Sequence, residues 1–407
     1  MTLIECFTQS HVDNISACLR LLPDRMVMIG NAAEMSESVK RYEKLLKQRG
    51  ISTEITLYDV QSMDLDELCI VLSKVVLQAT DCVIDLTGGD ERVILAIGAV
   101  LAELPVDARK RVRIEKFDHV TNAVLDCAHD NRQIRSRAVN LTVAELILLH
   151  GGILHPNSYQ PPIDSRPKDI AGLWDIVTEA PRDWNRAITQ LSAFESRSDS
   201  KMQVFLPLEY IRDSISNFEM KEDAVRELLD KLQRKGIIYD QSSRYALEYT
   251  YTSQLLRYCT LKAGNVLEVK TLLEGRAVLQ NGVPYFHDCL MGVGIDWDGV
   301  VYDPMDHIPE TRNEIDVILM HGTTPLFISC KNGNIGEEEL YKLHTVAERF
   351  GGPYVRKMLI ATNLDRKTPT ANRAFIQRAR DMGIFLVTDA DELSKTEWAD
   401  IFQNAMR

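Results

Sequence analysis

Four polar side chains stand in one of the most apolar stretches of the chain. Residues 312–333 read RNEIDVILMHGTTPLFISCKNG, with apolar runs Ile315–Met320 and Pro325–Cys330 flanking the link His321-Gly322-Thr323-Thr324. That pattern predicts a buried β-hairpin. Mirrored about the link, Asp316 falls opposite Ser329 and Glu314 opposite Lys331, and the alternation of side chains sends all four to one face. Close carboxylates repel unless a cation lies between them, and acidic oxygens are the ligands that hard divalent ions take. A lysine beside them can balance charge that builds during a reaction.

The spacing resembles the core of the PD-(D/E)xK nucleases, with an acid on one strand and acid-x-Lys on the next. Here these are Asp316 and Ser329-Cys330-Lys331, so a serine stands where the family has its second acid. Some members move that carboxylate to the following helix, and Gly336–Leu343 offers Glu337, Glu338 and Glu339. The stripe Leu340, Leu343, Val346, Ala347 and Phe350 makes Glu339 lean towards the buried side, with Glu338 second. Upstream, Gly264-Asn265-Val266-Leu267-Glu268 resembles the first helix of the nuclease fold, whose glutamate faces the metal. By itself, Glu268 also reads as an ordinary exposed helix glutamate. The resemblance implies metal-dependent phosphodiester cleavage. Glu268, Asp316 and Glu339 (or Glu338) would hold Mg²⁺ or Mn²⁺. Lys331 would position water or balance the phosphorane, and Ser329 would orient a metal-bound water. Glu314 is expected to be the ion-pair partner of Lys331.

These residues need a framework, and the chain divides into three parts around them. Residues 1–150 alternate strand and helix, which predicts a doubly wound α/β sheet. Two polar turns, Thr8–His11 and Thr87–Glu91, follow strands and open helices, where ligands of such sheets sit. Gly88-Gly89 at a helix start suits phosphate, or simply permits a tight turn. Residues 151–250 start with a Pro- and Gly-rich linker, 151–168, and continue into helix, turn, helix and strand, similar to a small winged-helix module. Its second helix carries Glu219, Glu222, Asp223, Glu227 and Asp230, which favours a spacer over a DNA-contacting element. Residues 251–407 run helix, three strands, helix, strand, the order of the nuclease core. Gly292–Val301 is the first of those strands, and a closing helix starts at Ala390. An EF-hand reading of Asp296 and Asp298 lacks the required glycine and distal glutamate.

The strand ending in Asp85-Leu86-Thr87-Gly88-Gly89 resembles the Rossmann-like CARF domains of CRISPR-linked effectors. This implies a cyclic oligoadenylate held across a dimer axis by Thr8, Gln9, Ser10, Thr87, Gly88 and Gly89. Where many members show Thr-Lys after the glycines, this chain has Asp90-Glu91; Arg92, Arg132, Arg135 and Arg137 could compensate. Both ends in this order resemble the CARF–nuclease effectors of type III CRISPR antiviral defence. The implied protein is a homodimer whose paired CARF domains take cyclic tetra-adenylate as allosteric activator and close the nuclease domains over DNA or RNA. One rival is a ligand-sensing winged-helix regulator with an inactive nuclease core. The other is a restriction or repair nuclease unrelated to CRISPR.

Totals set the outer limits. The 407 residues have room for two or three domains. A net charge of −12 argues against a general nucleic-acid coat, although a local basic groove would suffice for a nuclease. Eight cysteines without a C-x-x-C suggest neither a disulfide framework nor a zinc site. No signal peptide or membrane-length apolar run is apparent, so a cytoplasmic location is expected.

Overall fold

The computed structural model describes the chain except residues 61–62, 90, 120, 122, 156–158, 197–201, 298, 300–311, 334 and 363–368. The apolar runs of the first third pair as parallel strands, with helices returning over both faces. In order they are β1 (Thr2–Cys6), α1 (His11–Leu21), β2 (Arg25–Gly30), α2 (Ala32–Gln48), β3 (Glu54–Asp59), α3 (Leu65–Gln78), β4 (Cys82–Asp85), α4 (Glu91–Glu103), α5 (Val106–Arg109) and β5 (Val112–Asp118). Strand order is β3-β2-β1-β4-β5, extended by the antiparallel β6 (Ala123–Asp126) and β7 (Arg132–Ile134). The doubly wound sheet is as expected. The last two strands escape a sequence reading because they are short and mixed in polarity. Local caps set the helix starts: Ser10 accepts the Asp13 amide, which starts α1 at His11. Asp64 with Glu67 forms a capping box on α3.

The middle segment holds α6 (Val143–Leu149), β8 (Ile153–Leu154), α7 (Ala171–Glu179), α8 (Pro181–Glu195), β9 (Gln203–Pro207), α9 (Leu208–Ile211), α10 (Phe218–Arg234), β10 (Ile238–Asp240) and β11 (Ala246–Tyr251). Strands β10, β11 and β9 make a three-stranded antiparallel sheet beside the helices. Residues 153–154, inside the expected linker, add an edge strand to the C-terminal sheet.

The last part contains α11 (Gln254–Cys259), α12 (Asn265–Ala277), a short hairpin of β12 (Leu279–Gln280) and β13 (Val283–Pro284), β14 (Asp288–Asp296), β15 (Arg312–His321), β16 (Thr324–Lys331), α13 (Glu337–Gly351), β17 (Arg356–Ala361), α14 (Pro369–Asp381), β18 (Ile384–Val387) and α15 (Lys395–Ala405). The sheet order is β18-β17-β16-β15-β14-β8. Strand β14 lies earlier than the expected 292–301, because the run Asp288–Met291 already pairs with Ile318–Met320 and Val317 of β15. The closing helix starts at Lys395, after a Ser394–Glu397 capping box, rather than at Ala390.

Two shared cores join the parts. One combines Leu3 and Met26 of the N-terminal sheet, Ile147 of α6, and Val293, Phe327 and Phe350 of the C-terminal domain. The other joins Trp184 of α8 and Leu232 of α10 to Leu267, Val317 and Trp398. Polar contacts reach the tip of the β15–β16 hairpin. The Leu141 amide donates to the Gly322 carbonyl (3.0 Å). Buried His119 bridges the Thr323 hydroxyl (2.9 Å) and the Asp13 carboxylate of α1 (2.6 Å), and stacks on Tyr354 at 4.0 Å.

Candidate active site

Antiparallel pairing between β15 and β16 runs from His321–Thr324 to Val317–Ile328. Past it, the Asp316 carboxylate enters the space between the strands. Its Oδ2 accepts the Cys330 amide at 2.6 Å and the Ser329 hydroxyl at 3.1 Å. Charge-assisted bonds of this kind hold a carboxylate in one orientation. Asp316 therefore sits in a fork at the base of the hairpin, opposite Ser329 as the spacing predicts. Strand β16 stays paired with β17 through Lys331–Ala361, so the lysine leaves a fixed strand end.

The Lys331 ammonium lies 3.6 Å from Asp316 and 3.1 Å from Glu339. Burial pulls its pKa down, but those two carboxylates outweigh burial and hold it above its ordinary value. Glu339 also takes a hydrogen bond from Lys342 (3.0 Å); burial opposes its charge, yet Lys342 and Lys331 hold its pKa below the usual range. Glu338 is exposed and folds back against Gly336. Of the two helix glutamates, Glu339 is the one brought to Lys331. The expected Glu314–Lys331 ion pair does not form: the lysine's ion pairs among the described residues are with Asp316 and Glu339. The reason is the fork, which lets Asp316 and the first turn of α13 reach the ammonium.

Glu268, in the first turn of α12, completes the acidic group. Burial first, then the charges of Asp316 and Glu314, push its pKa up to about 8, against smaller opposition from Lys331 and Lys262. The two lysines do not offset that field, and the carboxylate oxygens of Asp316 and Glu314 that act on Glu268 are donors of the kind a hard divalent cation takes. Among the described residues, no three His, Cys, Asp or Glu are already gathered at ligand spacing. The site opens into a cavity of about 170 Å³ lined by Asn313, Glu314, Asp316, Ser329, Lys331 and Glu339.

The two turns at the carboxyl ends of β1 and β4 come together, since these strands are neighbours. Side chains on Gly88 and Gly89 would collide with Thr8 and Cys6, and Gly89 has φ +124°. The glycines thus let the turns touch. Thr87 is engaged inward: its hydroxyl donates to Asp85 (2.5 Å) and accepts the Phe117 amide (2.8 Å). Thr8 takes the Ser10 amide (2.9 Å), Ser10 caps α1, and Gln9 is exposed. Asp90 lies outside the described residues, as does Asp298.

Beneath these turns is a rung of acids that strand alternation alone does not reveal. Glu5 of β1 pairs in register with Asp85 of β4, and Asp85 with Glu115 of β5. Arg20 of α1 meets Glu115 at 2.7 Å. Burial, then Asp85 and Asp13, raise the Glu5 pKa far above the carboxylate range. Burial raises Asp85 to about 6, against hydrogen bonds from Thr87. β1 and β4 each show one acid after apolar residues and β5 is mixed in charge, so only parallel register aligns the three.

Residues 260–404 match the family model described as Card1-like, endonuclease domain. No curated protein matches. Among solved structures, VC1899 from Vibrio cholerae is 17% identical with a TM-score of 0.70, covering 100% of this chain and 97% of that one. Can2 from Sulfobacillus thermosulfidooxidans, solved in complex with cyclic tetra-adenylate, is 15% identical with a TM-score of 0.63, covering 100% and 97%. At such identities the likeness is one of fold, and it extends over the whole chain.

Proposed function

We propose that this chain, which carries a Card1-like endonuclease domain behind a CARF-like α/β domain, is a divalent-metal-dependent nuclease of CRISPR antiviral defence, switched on by a cyclic oligoadenylate. The observation that carries this reading is the meeting of Asp316, Lys331 and Glu339 at the hairpin fork, within electrostatic reach of Glu268. Glu268, Asp316 and Glu339 would hold Mg²⁺ or Mn²⁺. Such an ion, when bound, lowers the pKa of a water and neutralises the scissile phosphate. Ser329 and the Cys330 amide fix the Asp316 carboxylate, so its free oxygen edge faces the cavity. Lys331, kept protonated by its two acidic neighbours, supplies positive charge to a developing phosphorane. Serine in place of the family's second acid leaves Glu339 to contribute the third carboxylate.

The activator's site would be the joined turns at β1 and β4. With the Thr87 side chain turned inward, backbone amides of the Gly-Gly turn and the exposed Gln9 are its donors towards ligand. Can2 was solved with cyclic tetra-adenylate; the same ring is our choice of activator here. A homodimer is proposed from the apolar side chains that α3 and α4 leave exposed, Ile70, Leu77, Ile94 and Leu95. No helix among the described residues is long and apolar enough to cross a membrane.

The test is cleavage of plasmid, single-stranded DNA and single-stranded RNA with Mn²⁺, with and without cyclic tri-, tetra- and hexa-adenylate. Activity with the tetra-adenylate that disappears in Asp316→Ala and Lys331→Ala supports the proposal. Inertness with every ligand would favour the regulator, and cleavage indifferent to cyclic nucleotide would favour a nuclease outside CRISPR.

A further inference from the structure

The residue after the lysine is tied to a helix outside the C-terminal domain. Asn185 of α8 donates through Nδ2 to the Asn332 carbonyl at 2.6 Å, and Asn332 Nδ2 donates back to Asn185 Oδ1 at 3.0 Å. The same Asn332 amide lies 3.3 Å from the Ala263 carbonyl, which also takes the Trp184 indole N–H at 3.1 Å. Asn332 Oδ1 accepts the Thr362 hydroxyl at 2.7 Å, and the Thr362 amide donates to the Lys331 carbonyl. Gly333 has φ +116°, and a side chain there would meet Asn185 Nδ2 at 3.0 Å, so the close approach of α8 depends on that glycine.

These bonds connect the segments that carry the chemistry. Asn332 directly follows Lys331. Ala263 directly precedes Gly264, the N-cap of α12, whose first turn bears Glu268. We infer that Asn185, on the helical module, is a positioning residue for the nuclease site, setting Lys331 and Glu268 relative to each other through Asn332. Asn332 itself reaches from the end of β16 to the Ala263 carbonyl ahead of α12, and Asn185 holds Asn332 in place from α8. The inference rests on the nuclease reading for its catalytic consequence, but the placement of Lys331 can be measured without cleavage. It also gives the module a role beyond that of a spacer.

The experiment uses the full chain with Mn²⁺ and cyclic tetra-adenylate, comparing Asn185→Ala, Asn332→Ala and their double variant. Misplacement of a reacting group by a fraction of an ångström to an ångström costs on the order of 10- to 100-fold in turnover. Asn185→Ala should lose turnover in that range with KM for nucleic acid little changed and melting temperature close to wild type. Both substitutions remove the bond from Asn332 Nδ2 to Asn185 Oδ1, while the Asn332 backbone carbonyl survives in Asn332→Ala, so the double variant should lose less than the product of the two single losses. The independent readout is acetylation of Lys331 followed by mass spectrometry, referenced to exposed Lys110. Labelling of Lys331 should rise severalfold in Asn185→Ala. Asn185→Asp, which keeps the shape and the acceptor but replaces the donor, should show the same selective rise should the alanine variant not fold. Unchanged Lys331 labelling, or a rise shared by all lysines, overturns the inference. A wild type that cleaves nothing would sink the nuclease reading alone, since labelling still decides the placement of Lys331.

Discussion

Removing the charge of Glu268 should stabilise the protein at alkaline pH when no metal is present. Its pKa of about 8 stands against an ordinary 4.5, with burial, Asp316 and Glu314 as causes. A carboxyl whose folded pKa is raised holds its proton more tightly when folded, so stability is lost as pH rises between the two values and levels off above the higher one. Every tenfold difference in proton affinity between the folded and unfolded chain corresponds to about 1.4 kcal/mol. The full interval amounts to at most about 5 kcal/mol, reduced as water enters around the forming charge. Urea unfolding of wild type and Glu268→Gln in EDTA at pH 5.5, 7 and 8.5 measures the difference. Other raised acids, such as Glu5 and Asp85, contribute equally to both proteins and cancel in the comparison. The variant should gain over wild type by several kcal/mol at pH 8.5 and by no more than about 1.4 kcal/mol at pH 5.5. Mn²⁺ should close the gap by stabilising wild type selectively, because a cation supplies the missing counter-charge. Parallel pH profiles for the two proteins would refute the reasoning, since Glu268 would then lie outside the field of its acidic neighbours.

Three further outcomes follow from the geometry. Glu339→Gln should weaken Mn²⁺-dependent cleavage by on the order of 100-fold, whereas Glu338→Gln should stay near wild type, read from initial rates across a Mn²⁺ titration. His119→Phe should preserve metal-dependent basal cleavage and the affinity for cyclic tetra-adenylate by calorimetry while lowering the stimulation by that ligand, since it cuts the contact between Asp13 and Thr323. Leu95→Asp, on the exposed apolar face of α4, should shift the protein towards monomer by sedimentation and remove activation, because a charge at an apolar contact must be desolvated.

How much of this was legible depended on whether the signal was local. The hairpin and the Asp316–Ser329 apposition could be read because strand alternation and a four-residue link fix the register within about twenty residues. The lean of Glu339 came from a helical stripe of five apolar residues. Glu338 and Glu339 were harder to separate, since their difference lies in whether a side chain folds over Gly336. Mirror pairing sets Glu314 against Lys331 only in an unbroken ladder, and the fork at Asp316 breaks it. Asn185 and Asn332 carry no signal at all in a linear reading: 147 residues separate them, and asparagine is an ordinary residue in turns and on helix surfaces. The rung of Glu5, Asp85 and Glu115 is invisible for the same reason, as parallel register is set by crossovers rather than by turns.

The hairpin has two ends with different neighbours, and this bears on how a ligand could affect a distant reaction. Its tip is held by the N-terminal domain through Leu141 and His119, while its base carries Asp316 and Lys331. Lys331 lies eight steps along the chain from Thr323, about 26 Å of strand. Ile315 and residues 317–320 of β15 and residues 324–330 of β16 are buried, and Val317, Ile318, Phe327 and Ile328 among them belong to cores shared with the neighbouring parts, so the ribbon has little freedom to bend. Asp13, which contacts His119, sits in the first turn of the helix capped by Ser10 beside the joined turns. A ligand there can alter the fork only through a difference in free energy between two arrangements of this linkage. The linkage is short, passing from α1 to His119 to the hairpin tip, and each member is a buried polar group whose partner cannot be lost without cost. Displacing α1 by enough to break the Asp13–His119 contact therefore favours a second arrangement of the tip over a gradual loosening, which is the behaviour a switch requires.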